Sequence, residues 1–393
     1  MVRLNRIDFH SSIVNTRCLN ELDLTEGTEG IDWDERGVAT GRLRSEANNA
    51  AWQFSSSLIN LNARQVALHH ASQQALAAGI TTVCAMEGGD MYRDFDADFL
   101  LHHKEDTPIR LEVYYQTMDI KKVAGLELSR IGGCILVDGS FGSRTAALKK
   151  PYSDDPNNCG HLYFNSGELN MFVEHAHRKK LQLSMHVIGD RAIEMMINAY
   201  EKALKKYPRR NHRHRIEHFE LPSRYHIERA KKLGLVLSMQ PSFEYFWGGL
   251  NNMYGERLGV KRTLMTNPFN SLLKKGITVA GGSDAAVTPL NIILGIHSAV
   301  NHPNIKERIS ITQALEMFTI NGAKAIFKEK ELGTITTGKF GDLVVLSENP
   351  YTVPIENIKD INIDMTIIGG KICYKREEHF PSLNTKRREM EIS

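Results

Sequence analysis

One segment, residues 181–193 (LQLSMHVIGDRAI), joins a strict apolar and polar alternation to a turn and then to helical spacing. The alternation in its first half has the period of a β-strand, which predicts a strand that ends near His186. Gly189 permits a tight turn, and Asp190 is suited to cap a helix that is predicted over residues 191–204. A strand, a short turn and a helix form one unit of a β/α array. The segment therefore favours folds that are built from such units.

Two further segments end in the same way. Residues 213–219 (RHRIEHF) reach His218 near the end of a strand pattern, and residues 277–284 (ITVAGGSD) end at Asp284. A single histidine such as His186 is also explained as a hydrogen-bonded core residue, and the basic residues around His218 also fit a solvated edge. Three polar strand ends favour a shared catalytic rim, because parallel strands of a β/α array end at one face.

The rest of the chain repeats this alternation of strands and helices. Strand patterns occur at residues 80–86, 109–116, 132–138, 181–187, 213–219, 235–240 and 277–284. Helical spacing occurs at residues 14–22, 62–78, 191–204, 222–233, 267–275, 291–299 and 311–327. This order predicts an α/β fold with a parallel sheet, either a closed (β/α) barrel or a doubly wound sheet.

The texture of the sequence changes near its C-terminus. Residues 333–346 and 364–374 show strand alternation with glycine turns, which predicts a small β-subdomain. We therefore divide the chain into a barrel at 1–330, a β portion at 331–375 and a charged, mobile tail at 376–393.

Composition restricts the class of protein. The 393 residues are 41% hydrophobic, enough for one large barrel or two to three ordinary domains. A net charge of +3, from 49 basic and 46 acidic residues, predicts neither a nucleic-acid nor a membrane partner. The five cysteines never form a CxxC pair, which is typical of a reducing compartment. Without an apolar leader or a membrane span, we expect a cytosolic protein.

Five more side chains are possible metal or pocket residues, and one of them is Asp190, the predicted helix cap after His186. Glu87, Asp138 and Gln240 lie at predicted strand ends, and Cys134 shares a predicted strand face with Asp138. Glu87 is equally explained as a helix cap or a surface carboxylate. Cys134 is a candidate soft metal ligand, although a small buried thiol explains it as well.

The N-terminal segment adds one more candidate pair. Asp8 and His10 lie two residues apart, so they would share a face on a strand and could resemble a metal-binding pair. A hydrogen-bonded loop is the alternative.

Two loops are expected to cover a ligand. Residues 139–160 are rich in turn formers, and residues 241–255 include Tyr245, Phe246 and Trp247, which suit one wall of an apolar pocket.

Two neutral imidazoles and a carboxylate match the ligands of an open catalytic zinc site, in which water takes the remaining position. Such an ion lowers the pKa of bound water towards about 7, so hydrolysis becomes feasible near neutral pH. The sequence shows no phosphate-binding P-loop, dinucleotide GxGxxG motif or serine nucleophile elbow.

Six motifs together resemble the amidohydrolase superfamily, and most closely its YtcJ-like branch of metal-dependent hydrolases, from about residue 6 to residue 374. They are DGSFGSRTAAL (138–148), HVIGDRA (186–192), RIEH (215–218), SMQP (238–241), GSD (282–284) with Pro289, and GTITTGKFGDLVVL (333–346). The resemblance implies a TIM-like (β/α)8 barrel with a small β-sandwich portion. It also implies metal ligands at His186 and His218. Asp284 would bind metal and transfer the proton of the attacking water to the leaving group.

Two departures from the family pattern shape the expectation. The family's first barrel strand bears an HxH pair, and this chain begins downstream of it, so the barrel is expected to lack that strand. His175 with His177 and His212 with His214 do not end early strands, so neither pair replaces it. The family's metal-bridging lysine position is occupied by Cys134, which predicts one ion rather than two.

These departures leave two functions open. The first is a metal-dependent hydrolase of C–N bonds in amide- or formamide-like small molecules. The second is an incomplete family member that binds a ligand without turnover or needs a partner chain. Exposed strand edges would favour association, including homo-oligomers.

Overall fold

The computed structural model describes residues 1–7, 9–25, 27–89 and 94–377, so Asp8 lies outside the described residues. The N-terminal part forms an antiparallel sheet in the order β1-β2-β4-β3 and two helices. Its elements are β1 (Arg3–Asn5), β2 (Ser11–Val14), α1 (Thr16–Leu19), β3 (Ile31–Trp33), β4 (Ala39–Arg44) and α2 (Ser45–Ser57). The helix predicted over residues 14–22 is wrong at its start, because Val14 ends β2 and is buried there.

A parallel sheet comes next in the chain, with strand order β5-β6-β7-β8. Its elements are α3 (Leu61–Ala77), β5 (Thr82–Glu87), α4 (Phe95–His103), a 3₁₀ turn (Lys104–Asp106), β6 (Arg110–Tyr115), α5 (Ile120–Gly125), β7 (Arg130–Ile131), α6 (Ser166–Arg178) and β8 (Gln182–Leu183). The segments predicted at 62–78, 80–86 and 109–116 are thus confirmed within a few residues.

The strand predicted over residues 132–138 is wrong. Strand β7 ends at Ile131, because Gly132 and Gly133 adopt φ values of +97° and +64° and turn the chain away. A side chain at Gly132 would place its Cβ 2.2 Å from the carbonyl oxygen of Ser184, so only glycine fits. Beyond the turn, Leu136 makes a single parallel bridge to His186.

A second parallel sheet contains the strands that lead to the candidate ligands, in the order β12-β11-β10-β9. Its elements are β9 (His186–Val187), α7 (Asp190–Lys206), β10 (Arg215–His218), α8 (Arg224–Leu233), β11 (Val236–Met239), α9 (Ser242–Phe246), α10 (Met253–Thr263), α11 (Phe269–Lys274) and β12 (Thr278–Gly281). Residues 182–187 connect the two sheets, since β8 pairs with β7 and β9 pairs with β10. The predicted α/β fold with parallel strands is confirmed.

Burial explains why these strands are so regular. Ile216, Leu237 and Val279 are fully buried on neighbouring strands and pack against the helical layer. Helix α7 contributes Met196 and Ile197 to the same core. Each such side chain stabilises the fold by roughly 1.5–3 kcal/mol relative to exposure.

The C-terminal elements complete the fold. They are α12 (Ile292–Val300), a 3₁₀ turn (Ile305–Glu307), α13 (Ile311–Phe318), α14 (Ile320–Ala325), β13 (Leu343–Leu346), a 3₁₀ helix (Ile355–Asp360), β14 (Ile363–Ile368) and β15 (Lys371–Lys375). The small β portion predicted here is a three-stranded antiparallel sheet. It is tied to α3, where Thr366 Oγ1 donates to the Leu76 carbonyl at 2.6 Å. The helix predicted over 311–327 is two helices, with non-helical backbone at Thr319.

Most of the predicted tail, from residue 378 onwards, lies outside the described residues. Within the described part of the chain, no helix is both long enough and apolar enough to cross a membrane.

Candidate metal centre

His186 and His218 come together on the neighbouring parallel strands β9 and β10. His186 opens the short strand β9 and His218 ends β10, and their ring centroids are 4.4 Å apart. One nitrogen of each ring is fixed by a hydrogen bond: His186 Nε2 donates to the Gly139 carbonyl at 3.1 Å, and His218 Nδ1 donates to Gln240 Oε1 at 2.7 Å. These bonds set the tautomers, so His186 Nδ1 and His218 Nε2 keep their lone pairs.

Cys134 faces both of those lone pairs. Its Sγ lies 3.8 Å from His186 Nδ1 and 3.8 Å from His218 Nε2. The backbone N–H of Cys134 donates to Gln116 Oε1 at 3.0 Å, and Gln116 Nε2 donates to the Met86 carbonyl at 3.1 Å. The thiol is therefore held at the two imidazoles by contacts that reach back to the ends of β5 and β6.

Electrostatics favour a neutral His186 imidazole and a neutral Cys134 thiol. Burial, with the rings of His218 and His10, holds the pKa of His186 well below its ordinary value. Burial and then the Asp284 carboxylate raise the pKa of the Cys134 thiol well above its usual range. Neutral imidazole is the form that binds a metal, and a bound cation would deprotonate the thiol.

Asp284 faces the same cavity as the two histidines. It follows β12 and has a φ of 54°, while His218 has a φ of 74°. Left-handed backbone at residues other than glycine costs about 1–3 kcal/mol and is concentrated at functional sites. Burial raises the pKa of Asp284, and the neighbouring His218 partly offsets this.

The cavity has a volume of about 140 Å³ and a largely apolar wall. The lining includes Phe141, Phe243, Trp247, Tyr254 and Val287. Parts of both loops that were predicted to cover a ligand, residues 139–160 and 241–255, line this cavity. Of the three aromatic candidates in the second loop, Trp247 lines the cavity, whereas Tyr245 and Phe246 do not.

Gln240 and His10 lie at the site in different ways. Gln240 orients His218 through the hydrogen bond described above and is itself buried. His10 lines the cavity, with its ring centroid 5.7 Å from that of His186. It precedes β2, so the N-terminal antiparallel sheet supplies one wall of the cavity.

Three other candidates are placed elsewhere. Asp138 is fully buried and accepts the backbone N–H groups of Ala147, Ile188 and Gly189 at 2.8–2.9 Å. Burial nevertheless raises its pKa to about 7. Its side chain joins the loop after β7 to the turn after β9 and is not among the cavity-lining groups.

Glu87 and Asp190 are likewise absent from the cavity lining. Burial, followed by the charge of Asp96, raises the pKa of Glu87 to about 7. Asp190 was expected to cap α7, but Gly189 is the N-cap and the Asp190 carboxylate accepts the Lys149 backbone N–H at 2.8 Å.

A second histidine cluster is formed by residues of the two HxH motifs, which were not expected to be metal ligands because neither ends an early strand. His177, His212 and His214 meet where β10 begins, whereas His175 of the same motif is exposed. Every ring nitrogen of these three residues has a partner within the protein.

Sequence analysis missed Glu220 and Tyr254, which share a hydrogen bond at the cavity wall. Burial raises the pKa of Glu220 to about 8. The only sequence signal was the position of Glu220 two residues after His218, and nothing local predicted its contact with α10.

The donor set suits a divalent ion such as zinc. Cys134, His186 and His218 are the group of described residues whose ligand atoms all lie within 4.8 Å of one another. Two imidazole nitrogens and a sulfur, each held by neighbouring contacts, are ligands that zinc prefers.

His186, His218 and Asp284 of the parallel β/α sheet line one cavity, an arrangement that fits a metal-dependent hydrolase. The family model described as "Amidohydrolase family" matches residues 1–374. The chain therefore belongs to the amidohydrolase family, as its motifs indicated.

Individual relatives agree with this assignment. The amidohydrolase-family protein YtcJ of Bacillus subtilis is 30% identical, with 95% of this chain and 74% of YtcJ covered. The N-substituted formamide deformylase of Arthrobacter pascens is 25% identical, covering 88% of this chain and 67% of that enzyme. The crystal structure of an uncharacterized metal-dependent hydrolase from Pyrococcus furiosus matches with a TM-score of 0.68 at 25% identity, covering 84% of this chain and 68% of that one.

Proposed function

We propose that this protein hydrolyses C–N bonds of amide- or formamide-like small molecules, with a single zinc ion held by His186 and His218 and with Asp284 as the proton-transfer group. One observation supports this above the others. The two imidazoles present lone pairs to one point, while their outer nitrogens are fixed by Gly139 and Gln240.

The chemistry follows from the groups around that point. A bound divalent ion would lower the pKa of water towards about 7 and polarise the substrate carbonyl. Asp284 accepts a proton from the attacking water as the new C–O bond forms. It then delivers that proton to the leaving nitrogen as the C–N bond breaks, which gives a carboxylic acid and an amine.

The cavity limits the size and polarity of the substrate. Its volume of about 140 Å³ is close to that of a cavity that holds one benzene molecule, ~150 Å³. Aromatic walls at Phe141, Phe243 and Trp247 favour an apolar substituent no larger than a single ring. The similarity to a formamide deformylase supports N-substituted formamides as the first class to test.

The test is an activity panel. N-formyl and N-acetyl amines with aliphatic or single-ring substituents are incubated with the chelated protein and with protein reloaded with Zn²⁺ or Mn²⁺. We expect amine release that needs added metal and is fastest for single-ring formamides. Purified, metal-loaded protein that releases no amine from any compound would contradict the proposal.

A second candidate function rests on the sheet edges. In the described residues β5 and β12 each pair with a single strand, which leaves two edges that another polypeptide could pair with. On this alternative the protein binds a ligand without turnover, or completes its site in a homo-oligomer or with a partner. Light scattering of the purified chain, combined with its metal content, distinguishes the hydrolase from the incomplete family member. A metal-loaded monomer with turnover would exclude the incomplete family member.

We also propose a cytosolic location without nucleic-acid or membrane partners. All five cysteines are free thiols, and the charges are nearly balanced. Fractionation of the cells that make the protein tests the location.

A further inference from the structure

We propose that the Cys134 sulfur is the third protein ligand of the metal ion, which makes the set Cys134, His186 and His218, and that Asp284 stays off the metal as the base. The inference rests on the proposed function, because it names the ligands of the same site.

The distances fit a single ion. Zinc bonds of ~2.3 Å to sulfur and ~2.05 Å to nitrogen place these atoms about 3.5 Å apart in a tetrahedron. The Cys134 Sγ lies 3.8 Å from each of the two ligand nitrogens, so a shift of a few tenths of an ångström brings both sulfur–nitrogen distances to this value.

The position of the sulfur is set by the backbone. The turn at Gly132 and Gly133 takes the chain out of the line of β7, and the hydrogen bond from the Cys134 N–H to Gln116 fixes the backbone at Cys134 itself. All three donors are therefore preorganised by the fold, which is a property of built metal sites.

Asp284 is left with a different role. Among the described residues its carboxylate is not part of the group whose ligand atoms all lie within 4.8 Å, although it lines the same cavity. Three protein ligands and one open position make a complete catalytic zinc site. One position on the ion would remain open to water, and Asp284, which lines the same cavity as His186 and His218, would take the proton of that water.

A thiolate ligand changes what the site binds. Sulfur favours zinc, cadmium and cobalt over the hard ions magnesium and manganese. Metal binding also converts the Cys134 thiol to a thiolate and releases its proton to solvent. The site should therefore bind zinc much more tightly than manganese. Removal of the sulfur should reduce the ratio of the two affinities.

The test uses the full chain loaded with Co²⁺ in place of zinc. A Co²⁺–thiolate bond produces an intense near-ultraviolet charge-transfer band, in addition to the visible bands of tetrahedral cobalt. We expect this band in the parent and in Cys84→Ser, which removes another thiol of the strands beside the site, and we expect its loss in Cys134→Ser. Zinc affinity in Cys134→Ser should fall by more than the ~100-fold typical of lost outer contacts.

A second measurement does not depend on folding of the variant. Alkylation of the parent, followed by mass spectrometry, should show Cys134 protected by zinc and Cys84 equally reactive with and without it. Cobalt binding with visible bands, no thiolate band and no protection of Cys134 would overturn this inference and leave the metal-dependent hydrolase standing. Failure to bind any divalent ion would overturn both.

Discussion

The two buried histidine clusters of this protein lie at opposite ends of the same strand. His214 precedes β10 and belongs to the closed cluster, which we define as His177, His212 and His214. His218 ends β10 and belongs to the open cluster of His186, His218 and Cys134. Both clusters are rich in imidazole. His186 and His218 of the open cluster line the largely apolar cavity, whereas His212 of the closed cluster lines a separate pocket beside Arg209 and Lys232.

Hydrogen bonding explains the difference. The Leu183 N–H donates to His214 Nδ1, so His214 Nε2 donates to His177 Nδ1 at 2.9 Å, and His177 Nε2 donates to the Tyr207 carbonyl. His212 is occupied in the same manner, by the His214 N–H and the Leu233 carbonyl. The closed cluster therefore has no lone pair to offer a metal, whereas each open-cluster histidine keeps one. Satisfied ring nitrogens, rather than burial or spacing, distinguish the closed cluster from the histidines that we propose as metal ligands.

The largest expected effect concerns catalysis at the open cluster. Asp284→Asn should reduce turnover by about 10²–10⁴-fold while zinc remains bound, because an amide cannot accept the proton of the attacking water. Asp190→Asn is the matched control: it changes a carboxylate that follows β9 outside the cavity and keeps an oxygen for the Lys149 N–H. Steady-state rates on the best substrate of the panel measure both. Undiminished turnover in Asp284→Asn would remove it from the mechanism.

Substitutions in the closed cluster should lower the free energy of unfolding rather than turnover. His214→Ala leaves the Leu183 N–H and the His177 ring without partners and should lower the free energy of unfolding by about 3 kcal/mol. Its zinc affinity, measured on the folded fraction, should stay within about twofold. Urea unfolding of the chelated protein provides the comparison. His175→Ala, an exposed position in the same HxH motif as His177, should change stability by less than about 0.5 kcal/mol.

The sequence predicted some parts of the fold around the two clusters and not others. Strands β10, β11 and β12 and helix α7 were predictable, because their alternation and spacing are strong and their burial is complete. The N-terminal antiparallel sheet was not predicted, since its strands are short and polar. The contact of His10 with the ring of His186 joins distant segments that no local pattern relates.

The directions of two side chains were also not predicted correctly from the sequence. Sequence alternation put Cys134 and Asp138 on one strand face, but the glycine turn ends that strand first. Cys134 then points to the two imidazoles, while Asp138 turns to backbone N–H groups. Only the three-dimensional contacts showed that these two residues lie in different surroundings.

Low pH should reduce the contribution of the closed cluster to the free energy of unfolding. Burial lowers the pKa values of His177, His212 and His214 from 6.5, in the case of His212 to about 4. Because the unfolded chain binds these protons more readily, this contribution to stability is complete above pH 6.5 and is lost as the pH falls towards 4. Unfolding free energies of the chelated protein from pH 7.5 to 4 should decline in this window. The decline should be shallower in His212→Gln, and an equal slope in both proteins would contradict the assignment.

The smallest effect should come from loss of the hydrogen bond between Gln240 and His218. Gln240→Ala removes the acceptor of His218 Nδ1 and should weaken zinc binding by about tenfold with little change in stability. Gln240→Glu retains an acceptor and should bind zinc at least as tightly as the parent. Competition with a chromogenic zinc chelator resolves differences of this size. Equal weakening in both variants would mean that Gln240 acts through packing alone.

The most direct test of the contrast is an anomalous difference map from crystals of the zinc-loaded protein, with data collected on both sides of the zinc absorption edge. We predict one strong peak about 2.0–2.3 Å from Cys134 Sγ, His186 Nδ1 and His218 Nε2, and no peak among His177, His212 and His214. Zinc bound at the closed cluster, or a fully zinc-loaded crystal without a peak at the open cluster, would contradict the account.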